Sequence, residues 1–249
     1  MQTLSKNQIK FIKSLHHKKY RYEHQMFLLE GEKLVNEALR DKPEIVEYLI
    51  VQEDYKISVH PHIPLYSVPS SILHTISTLE SPPPVIAVCH FLNTPKHAPI
   101  RLENTFSFYL DNINDPGNLG TIIRTCEWFG IMELYCSPTT VDLYNPKTIQ
   151  ASRGSFLRVN VLYSAFHSLH ISKKTNIYAA DLMGESIYTL KNKNGLIILG
   201  NEAHGISDTL KPFIHQYIHI PPHPNSQAES LNVAMSAAII ASEFVKKFL

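Results

Sequence analysis

The sequence predicts an α/β fold with a small N-terminal α/β domain and a larger C-terminal α/β domain. Short apolar runs that suit buried strands alternate along the chain with segments of helical periodicity. A polar, proline-bearing stretch without periodicity, residues 93–104, separates two such alternations and is predicted to be a linker. The chain has 249 residues, 44% of them hydrophobic, which is enough for one large core or two modest ones.

The N-terminal part, residues 1–92, alternates helices and strands after a basic amphipathic segment. The consecutive prolines Pro82 to Pro84 exclude a helix interior and place the last strand after them. The predicted elements are a helix over 5–17, a strand over 26–29, a helix over 31–40, strands over 45–51 and 65–68, a helix over 70–78 and a strand over 85–91.

The C-terminal part, residues 105–249, predicts a mostly parallel sheet covered by helices on both faces, because strands and helices alternate again. In such sheets, ligands bind beyond the carboxyl ends of the strands. The predicted elements are strands over 106–110, 132–136, 157–162, 176–180, 196–199 and 216–220, helices over 118–129, 164–171 and from 230 onward, and an irregular region over 144–155.

Charge identifies one candidate binding surface. Lys and Arg number 23 against 22 Asp and Glu, so no field of the whole chain points to nucleic acid. The first 24 residues are locally basic, which suits either contact with phosphates or an ordinary solvated surface. The cations of this segment are Lys6, Lys10, Lys13, Lys18, Lys19 and Arg21.

Cysteine and histidine patterns argue against a metal site and against a disulfide framework. Cys89, Cys126 and Cys136 lack CxxC spacing, and the 14 histidines form no HExxH motif. The sequence has no signal peptide and no apolar run long enough to cross a bilayer. We therefore expect a cytoplasmic protein with no membrane segment and no metal.

The first unusual loop follows the strand over 106–110. Asp115-Pro116-Gly117 is a strong turn signal, and Asn118 suits a cap of the helix after it. The apolar residues of that helix share one face, so Arg124 is expected to point away from the core. An arginine near a ligand loop suits phosphate recognition, although a helix-surface arginine has the same spacing.

The second loop, LGNEAHG over residues 199–205, leaves a buried strand with Gly200 and Gly205 on either side of Asn201 and Glu202. Glycines there permit a tight turn or the close approach of backbone to a ligand, and a plain turn would look the same. A dinucleotide site is disfavoured because no GxGxxG follows a strand, and no Walker motif is present.

The third loop lies within IPPHPNSQAESLNVA, residues 220–234. It is rich in proline, and Ser230 and Asn232 lie near its end. These two residues lie where a helix is expected to begin, which suits either a helix cap or a polar ligand. The helix is almost entirely apolar over residues 231–241, so we expect it to be buried.

Together the three stretches resemble, in order and spacing, the motifs of SpoU/TrmH-type RNA 2′-O-ribose methyltransferases, a family of the SPOUT superfamily. The first is NINDPGNLGTIIRT over residues 112–125, and the others are those just quoted. The segment NPKTIQASRGSFLRV, residues 145–159, resembles the family's connecting segment. Residues 1–92 are more weakly similar to the RNA-binding domain that often precedes the catalytic domain. One departure is that the third loop lacks the glycines that the family commonly has.

This resemblance implies a trefoil-knotted C-terminal domain that binds S-adenosylmethionine and methylates a ribose 2′-hydroxyl of ribosomal or transfer RNA. It also implies a homodimer with the last helix at the interface. The residues that it places in catalysis are Arg124, Asn118, Glu202, Ser230 and Asn232. The residues that it places around the cofactor are Leu199, Gly200, Asn201, Gly205, Ile220 and Leu231.

Arg124 corresponds to an arginine that has been cast as a general base in the family. An arginine pKa of about 12.5 or more lies over 5 units above neutral pH, so deprotonation costs roughly 7 kcal/mol. We therefore prefer a phosphate clamp that aligns the hydroxyl and stabilises developing charge. In this interpretation, Glu202 and Asn232 shape the site and move no proton.

Two other functions stay open at the level of the sequence. A catalytically silent RNA-binding member of the same fold would not need the cofactor loops, whereas this chain retains all five catalytic positions. A small-molecule enzyme of the doubly wound class would not need the basic N-terminal segment.

Overall fold

The computed structural model of this chain describes residues 3–58, 61–93 and 99–247. A four-stranded sheet lies in the N-terminal part and a six-stranded sheet in the C-terminal part, each with helices, so the predicted α/β class is confirmed. Within the described ranges, no helix is long and apolar enough to cross a membrane.

In the N-terminal sheet, the last strand lies between the first two and is antiparallel to both, while the edge strand is parallel to its neighbour. The elements are α1 Lys6–Ser14, α2 Lys18–His24, β1 Met26–Glu30, α3 Glu32–Asp41, β2 Val46–Gln52, β3 Leu65–Val68, α4 Ser70–Ile76 and β4 Val85–His90. The sheet order is β1-β4-β2-β3.

The C-terminal sheet is parallel throughout, with strand order β10-β8-β9-β5-β6-β7. Its elements are β5 Phe106–Leu110, α5 Pro116–Trp128, β6 Glu133–Cys136, α6 Pro146–Ser152, β7 Asn160–Tyr163, β8 Ile177–Ser186, β9 Gly195–Leu199, β10 Gln216–His219 and α7 Val233–Val245. The carboxyl ends of β5 and β9 are neighbours, which brings the first two predicted ligand loops together. The predicted knot stays a prediction.

Three element predictions in the C-terminal part are wrong. The region predicted as irregular contains α6, which Asn145 caps by accepting a hydrogen bond from the backbone of Lys147 at 2.9 Å. The helix predicted over 164–171 is a single 3-10 turn, Phe166–Ser168. The last helix is not buried on all sides, because the side chain of Met235 is 52% exposed.

The predicted linker is partly outside the described residues, since 94–98 are not among them. After this gap, Ile100 and Leu102 are buried against the core of the six-stranded sheet. Ile100 also forms an isolated parallel bridge with Ile171. The domain boundaries at 92 and 105 stay predictions.

A buried ion pair joins the two parts of the chain and corrects one prediction. Arg21, predicted to contact RNA, is 3% exposed, and its Nη2 lies 2.6 Å from Oδ2 of Asp142. Its Nη1 donates to the carbonyls of Leu15 and His16, in the turn between α1 and α2. The helix predicted over 5–17 ends at Ser14, and α2 was not predicted. Removing one partner of such a buried pair typically costs about 3–5 kcal/mol. Arg21 is therefore a structural residue.

Aromatic packing strengthens the same junction. The ring of Phe91 stacks on Tyr144 with centroids 3.8 Å apart, and Phe27 packs between Tyr144 and Phe156. The hydroxyl of Tyr144 accepts a hydrogen bond from the backbone of Leu92 at 2.9 Å. One hydrophobic cluster thus runs through both parts of the chain and fixes their relative position.

Candidate active site

The N-terminus of α5 positions the first predicted site residue, Asn118. Asp115 caps the helix, because its Oδ1 accepts a hydrogen bond from the backbone N–H of Asn118 at 2.8 Å. Pro116 fills the first turn, where no N–H is needed. The cap fixes the backbone of Asn118, and its carboxamide reaches the other two loops.

Three predicted site residues meet at this carboxamide. Nδ2 of Asn118 donates to Oε1 of Glu202 at 2.5 Å, and Oδ1 of Asn118 accepts from Nδ2 of Asn232 at 3.0 Å. The partners lie 84 and 114 positions along the chain from Asn118. We refer to Asn118, Glu202 and Asn232 as the polar triad. The fold therefore links one residue from each of the three loops.

Asn232 also begins the last helix. Its Oδ1 accepts hydrogen bonds from the backbone N–H groups of Ala234 at 2.9 Å and Met235 at 3.4 Å, so Asn232 is the N-cap of α7. The predicted helix start at Ser230 is wrong by three residues. Ser230 is exposed and makes no hydrogen bond to any described residue. The structure therefore does not join Ser230 to the polar triad.

The loop over residues 200–205 is held closed by Asn201. The backbone N–H of Asn201 donates to the Gly205 carbonyl at 2.9 Å, and the Gly205 N–H donates back at 2.8 Å. The Asn201 side chain donates to the carbonyl of Asn112 at 2.8 Å and accepts from the N–H groups of Ala203 and His204. Asn201 therefore shapes this loop with its side chain.

The two glycines of this loop serve different purposes. A Cβ on Gly200 would lie 2.5 Å from the carbonyl carbon of Gly205, so Gly200 is needed for the turn itself. A Cβ on Gly205 would meet nothing within 4 Å, although its φ of +67° favours glycine. The space beside Gly205 is therefore open to a ligand.

A buried carboxylate that the sequence analysis did not single out supports the first two loops. Asp111, 3% exposed, accepts from the backbone N–H of Ser207 at 2.7 Å and from Nδ2 of Asn112 at 3.0 Å. Nδ2 of Asn112 also donates to Oγ of Ser207 at 3.0 Å. The available signal was a polar Asp-Asn pair directly after a fully buried strand.

The remaining predicted cofactor residues are apolar and differ in exposure. Leu199, at the end of β9, is buried beneath the loop, and Ile220 is partly buried against the core. Leu231 is 49% exposed immediately before the triad residue Asn232. Exposed apolar surface at Leu231, open backbone at Gly205 and nearby amides fit a ligand that has a flat aromatic ring and several polar groups, as S-adenosylmethionine does.

Arg124 lies apart from the polar triad. It is six residues after Asn118 on α5, which is about 9 Å along a helix axis. It is exposed, as expected, and no ion pair or hydrogen bond to a described residue occupies its guanidinium. It lines a cleft of about 670 Å³ between the two parts of the chain. The residues of this interdomain cleft are Lys33, Glu37, Arg124, Glu127, Trp128, Arg153, Ser155 and Arg158.

The other predicted RNA-binding residues are exposed on α1 and α2. They are Lys6, Lys10, Lys13, Lys18 and Lys19. Nζ of Lys18 lies 5.5 Å from the ring centroid of Tyr22, and Nζ of Lys19 lies 5.5 Å from that of Tyr20. Their exposure suits phosphate contact. Across the described residues, no group of three His, Cys, Asp or Glu side chains is arranged to hold a metal ion.

Two family descriptions match this chain. The SpoU rRNA Methylase family matches residues 105–242, and the MRM3-like substrate binding domain matches residues 6–87. A similar curated protein is 23S rRNA (guanosine(2553)-2′-O)-methyltransferase RlmP of Bacillus subtilis. It is 32% identical over 244 residues, which cover 95% of each chain.

Solved structures show the same fold. A TrmH-family protein from Porphyromonas gingivalis has a TM-score of 0.84 and 32% identity, over 99% of this chain and 100% of that one. The SpoU methyltransferase AviRb of Streptomyces viridochromogenes, solved with the cofactor AdoMet, has a TM-score of 0.83 and 20% identity, over 98% of both chains. Because the family match spans more than half of the sequence and RlmP is similar along nearly all of it, this chain belongs to the SpoU rRNA methylase family.

Proposed function

We propose that this chain transfers a methyl group from S-adenosylmethionine to a ribose 2′-hydroxyl of ribosomal RNA. The observation that carries the proposal is the polar triad, which links the three loops of the family's motifs at the carboxyl edge of the sheet. Family membership supports the reaction, and similarity to RlmP along 95% of the chain supports ribosomal RNA over transfer RNA.

In this reaction, the residues of the three loops bind the cofactor and orient the reacting groups. S-adenosylmethionine, when bound, supplies a methyl group that already carries its own leaving group. The open backbone at Gly205, with Gly200, Asn201, Leu199, Ile220 and Leu231, would hold it. Nδ2 of Asn118 donates a hydrogen bond to Oε1 of Glu202, so this carboxylate is held in place and orients the site. Positioning of this kind accounts for much of an enzyme's rate enhancement.

Arg124 is proposed to clamp a phosphate next to the reacting ribose. It is exposed in the interdomain cleft and has no carboxylate partner among the described residues, so its charge is available to the substrate. A guanidinium binds phosphate with two parallel hydrogen bonds and stabilises negative charge that develops on the hydroxyl.

The N-terminal part is proposed to bind the RNA substrate, as a domain over residues 1–92 that a linker over 93–104 joins to the catalytic domain over 105–249. Support comes from the exposed lysines of α1 and α2 and from the match to a substrate-binding domain. We also propose a cytoplasmic location, because the similar protein RlmP is a ribosomal RNA methyltransferase of a bacterium.

The homodimer is a further part of the proposal. On α7, Ala234, Ala237 and Ala241 are buried in the chain itself, whereas Met235 is half exposed, as is Leu231 just before the N-cap. This open apolar face suits packing against the same helix of a second copy.

The proposal is tested by incubating the protein with S-adenosylmethionine and unmodified ribosomal RNA, followed by mapping of 2′-O-methyl groups. A single methylated ribose is expected, together with calorimetric binding of S-adenosylhomocysteine. RNA binding without cofactor binding or methyl transfer would instead establish the silent RNA-binding alternative.

Arg124 gives a second test, which concerns its role. Arg124→Ala should lower the single-turnover rate by roughly a hundredfold or more, because a transition-state donor is lost. Arg124→Lys should retain part of the rate, since lysine keeps the cation. If Arg124 is a clamp, the Arg124→Lys substitution should leave the shape of the pH–rate profile unchanged between about pH 6 and 10. A midpoint that moves with the substitution would make Arg124 the base.

A further inference from the structure

The interdomain cleft contains an exposed aromatic ring that the proposed reaction does not use. Trp128 is 83% exposed, the largest exposed fraction among the large apolar side chains of the described residues. It lies four residues after Arg124 on α5, so the two side chains are neighbours on one helix face. A large ring kept in water beside a cation is typical of a stacking surface for nucleic-acid bases.

Some charged side chains of this cleft form ion pairs and others do not. Arg158 pairs with the carboxylates nearest to it: Nη1 donates to Asp41 at 2.7 Å, Nη2 lies 3.4 Å from Glu37, and Nε donates to Glu127. The hydrogen bond from Arg40, together with the one from Arg158, lowers the pKa of Asp41 to about 2, and the hydrogen bond from Arg158 lowers the pKa of Glu127.

Three cations of the cleft are left without a counter-charge. Lys33, Arg124 and Arg153 are exposed and form no ion pair with a described residue. They come from three different helical segments, α3, α5 and the end of α6. Both parts of the chain thus contribute positive charge around one aromatic ring.

We propose that this cleft binds a single-stranded segment of the RNA substrate, with one unpaired base stacked on Trp128 and the flanking phosphates held by Lys33, Arg124 and Arg153. The proposal rests on the proposed function for the identity of the nucleic acid. A duplex does not fit the same description, because its base faces are already stacked and cannot cover the indole ring. The cleft therefore selects an unpaired nucleotide next to the phosphate that Arg124 clamps.

Trp128 is the only tryptophan of the chain, so its fluorescence reports on the cleft directly. Titration of the full-length protein with a short unstructured oligoribonucleotide should quench this fluorescence to saturation. A duplex of the same sequence should quench it far less. Equal quenching by the duplex, or RNA binding that leaves the fluorescence unchanged, would overturn the proposal.

Variants extend the test to affinity, measured by the anisotropy of the labelled oligoribonucleotide. Trp128→Ala should weaken single-strand binding about tenfold, and Trp128→Phe should keep most of it because a ring remains. Lys33→Glu should weaken binding and flatten its salt dependence. Tyr188→Ala removes another exposed aromatic ring outside the cleft and should change nothing.

These outcomes separate the inference from the proposed function. If the Trp128→Ala protein still methylates RNA and binds the single strand with wild-type affinity, the stacking site is wrong and the proposed reaction stands. Saturable quenching in a protein that transfers no methyl group would support the cleft and remove the proposed reaction.

Discussion

Two loops of the site follow parallel strands of the same sheet, yet they are ordered by different means. The loop over 200–205 closes on itself through paired backbone hydrogen bonds between Asn201 and Gly205 and is tied to Asn112. In the loop over 221–230, every residue is exposed, and its described hydrogen bonds are local turns. Beyond it, Asn232 donates to Asn118. We therefore expect the first loop to be formed before any ligand binds and the second to gain most of its contacts from the ligand.

The third motif has prolines where relatives of this family commonly have glycines. Prolines at 221, 222 and 224 restrict the backbone directly, so this loop can be limited in conformation without internal hydrogen bonds. The loop over 200–205 has hydrogen bonds and needs Gly200 for steric reasons. Three substitutions test the contrast between the two loops, and a fourth tests the helix cap that follows the second loop.

The largest effect is expected from Gly205→Val, because the side chain would fill the open space beside the formed loop and β-branched residues disfavour a φ of +67°. Affinity for S-adenosylhomocysteine should fall at least about a hundredfold, or about 2.8 kcal/mol, by calorimetry. Gly130→Val is the matched control, since Gly130 has a φ of +72° with open space but lies outside the site. Unchanged affinity in a folded Gly205→Val protein would remove the cofactor assignment.

Asn201→Ala should have the next largest effect. It deletes side-chain hydrogen bonds to the backbone of Asn112, Ala203 and His204, each worth about 1 kcal/mol, so the loop should lose about 2–3 kcal/mol of preorganisation. The same calorimetric titration measures the loss. Asn225→Ala in the exposed loop is the control and should bind normally. Equal losses in the two variants would contradict the contrast.

Asn232→Ala should lower the free energy of unfolding by about 1–2 kcal/mol, because it removes the N-cap of α7 together with the hydrogen bond to Asn118. Chemical denaturation measures this change. Ser230→Ala should leave stability unchanged, since Ser230 makes no hydrogen bond to a described residue. If Ser230→Ala destabilised the protein as much as Asn232→Ala, the helix cap would be misassigned.

The smallest effect is expected from Pro222→Gly. Glycine frees the backbone of the exposed loop by about 0.4–1 kcal/mol, which should weaken cofactor binding by only about two- to fivefold. Hydrogen exchange of residues 221–231 should be fast without S-adenosylhomocysteine and slower with it. Strong protection of this loop in the ligand-free protein would show that it is already formed.

The sequence determined the fold class, most strands and the family, because each depends on local patterns. Strands such as Phe106–Leu110 and Gly195–Leu199 are short, mostly apolar segments, and each motif is a contiguous string of residues. The family and the methyltransferase class predicted from those strings are confirmed.

The tertiary structure alone decided which polar residues meet and which are buried. Arg21 has the same sequence context as the lysines around it, and only its approach to Asp142, 121 positions away, makes it structural. The polar triad likewise joins positions 84 and 114 residues apart, which no local periodicity encodes. The cations around Trp128 are left unpaired because Arg158 forms ion pairs with carboxylates from both parts of the chain. Pairing of charged and polar side chains is a property of distances in space, and a one-dimensional pattern does not contain those distances.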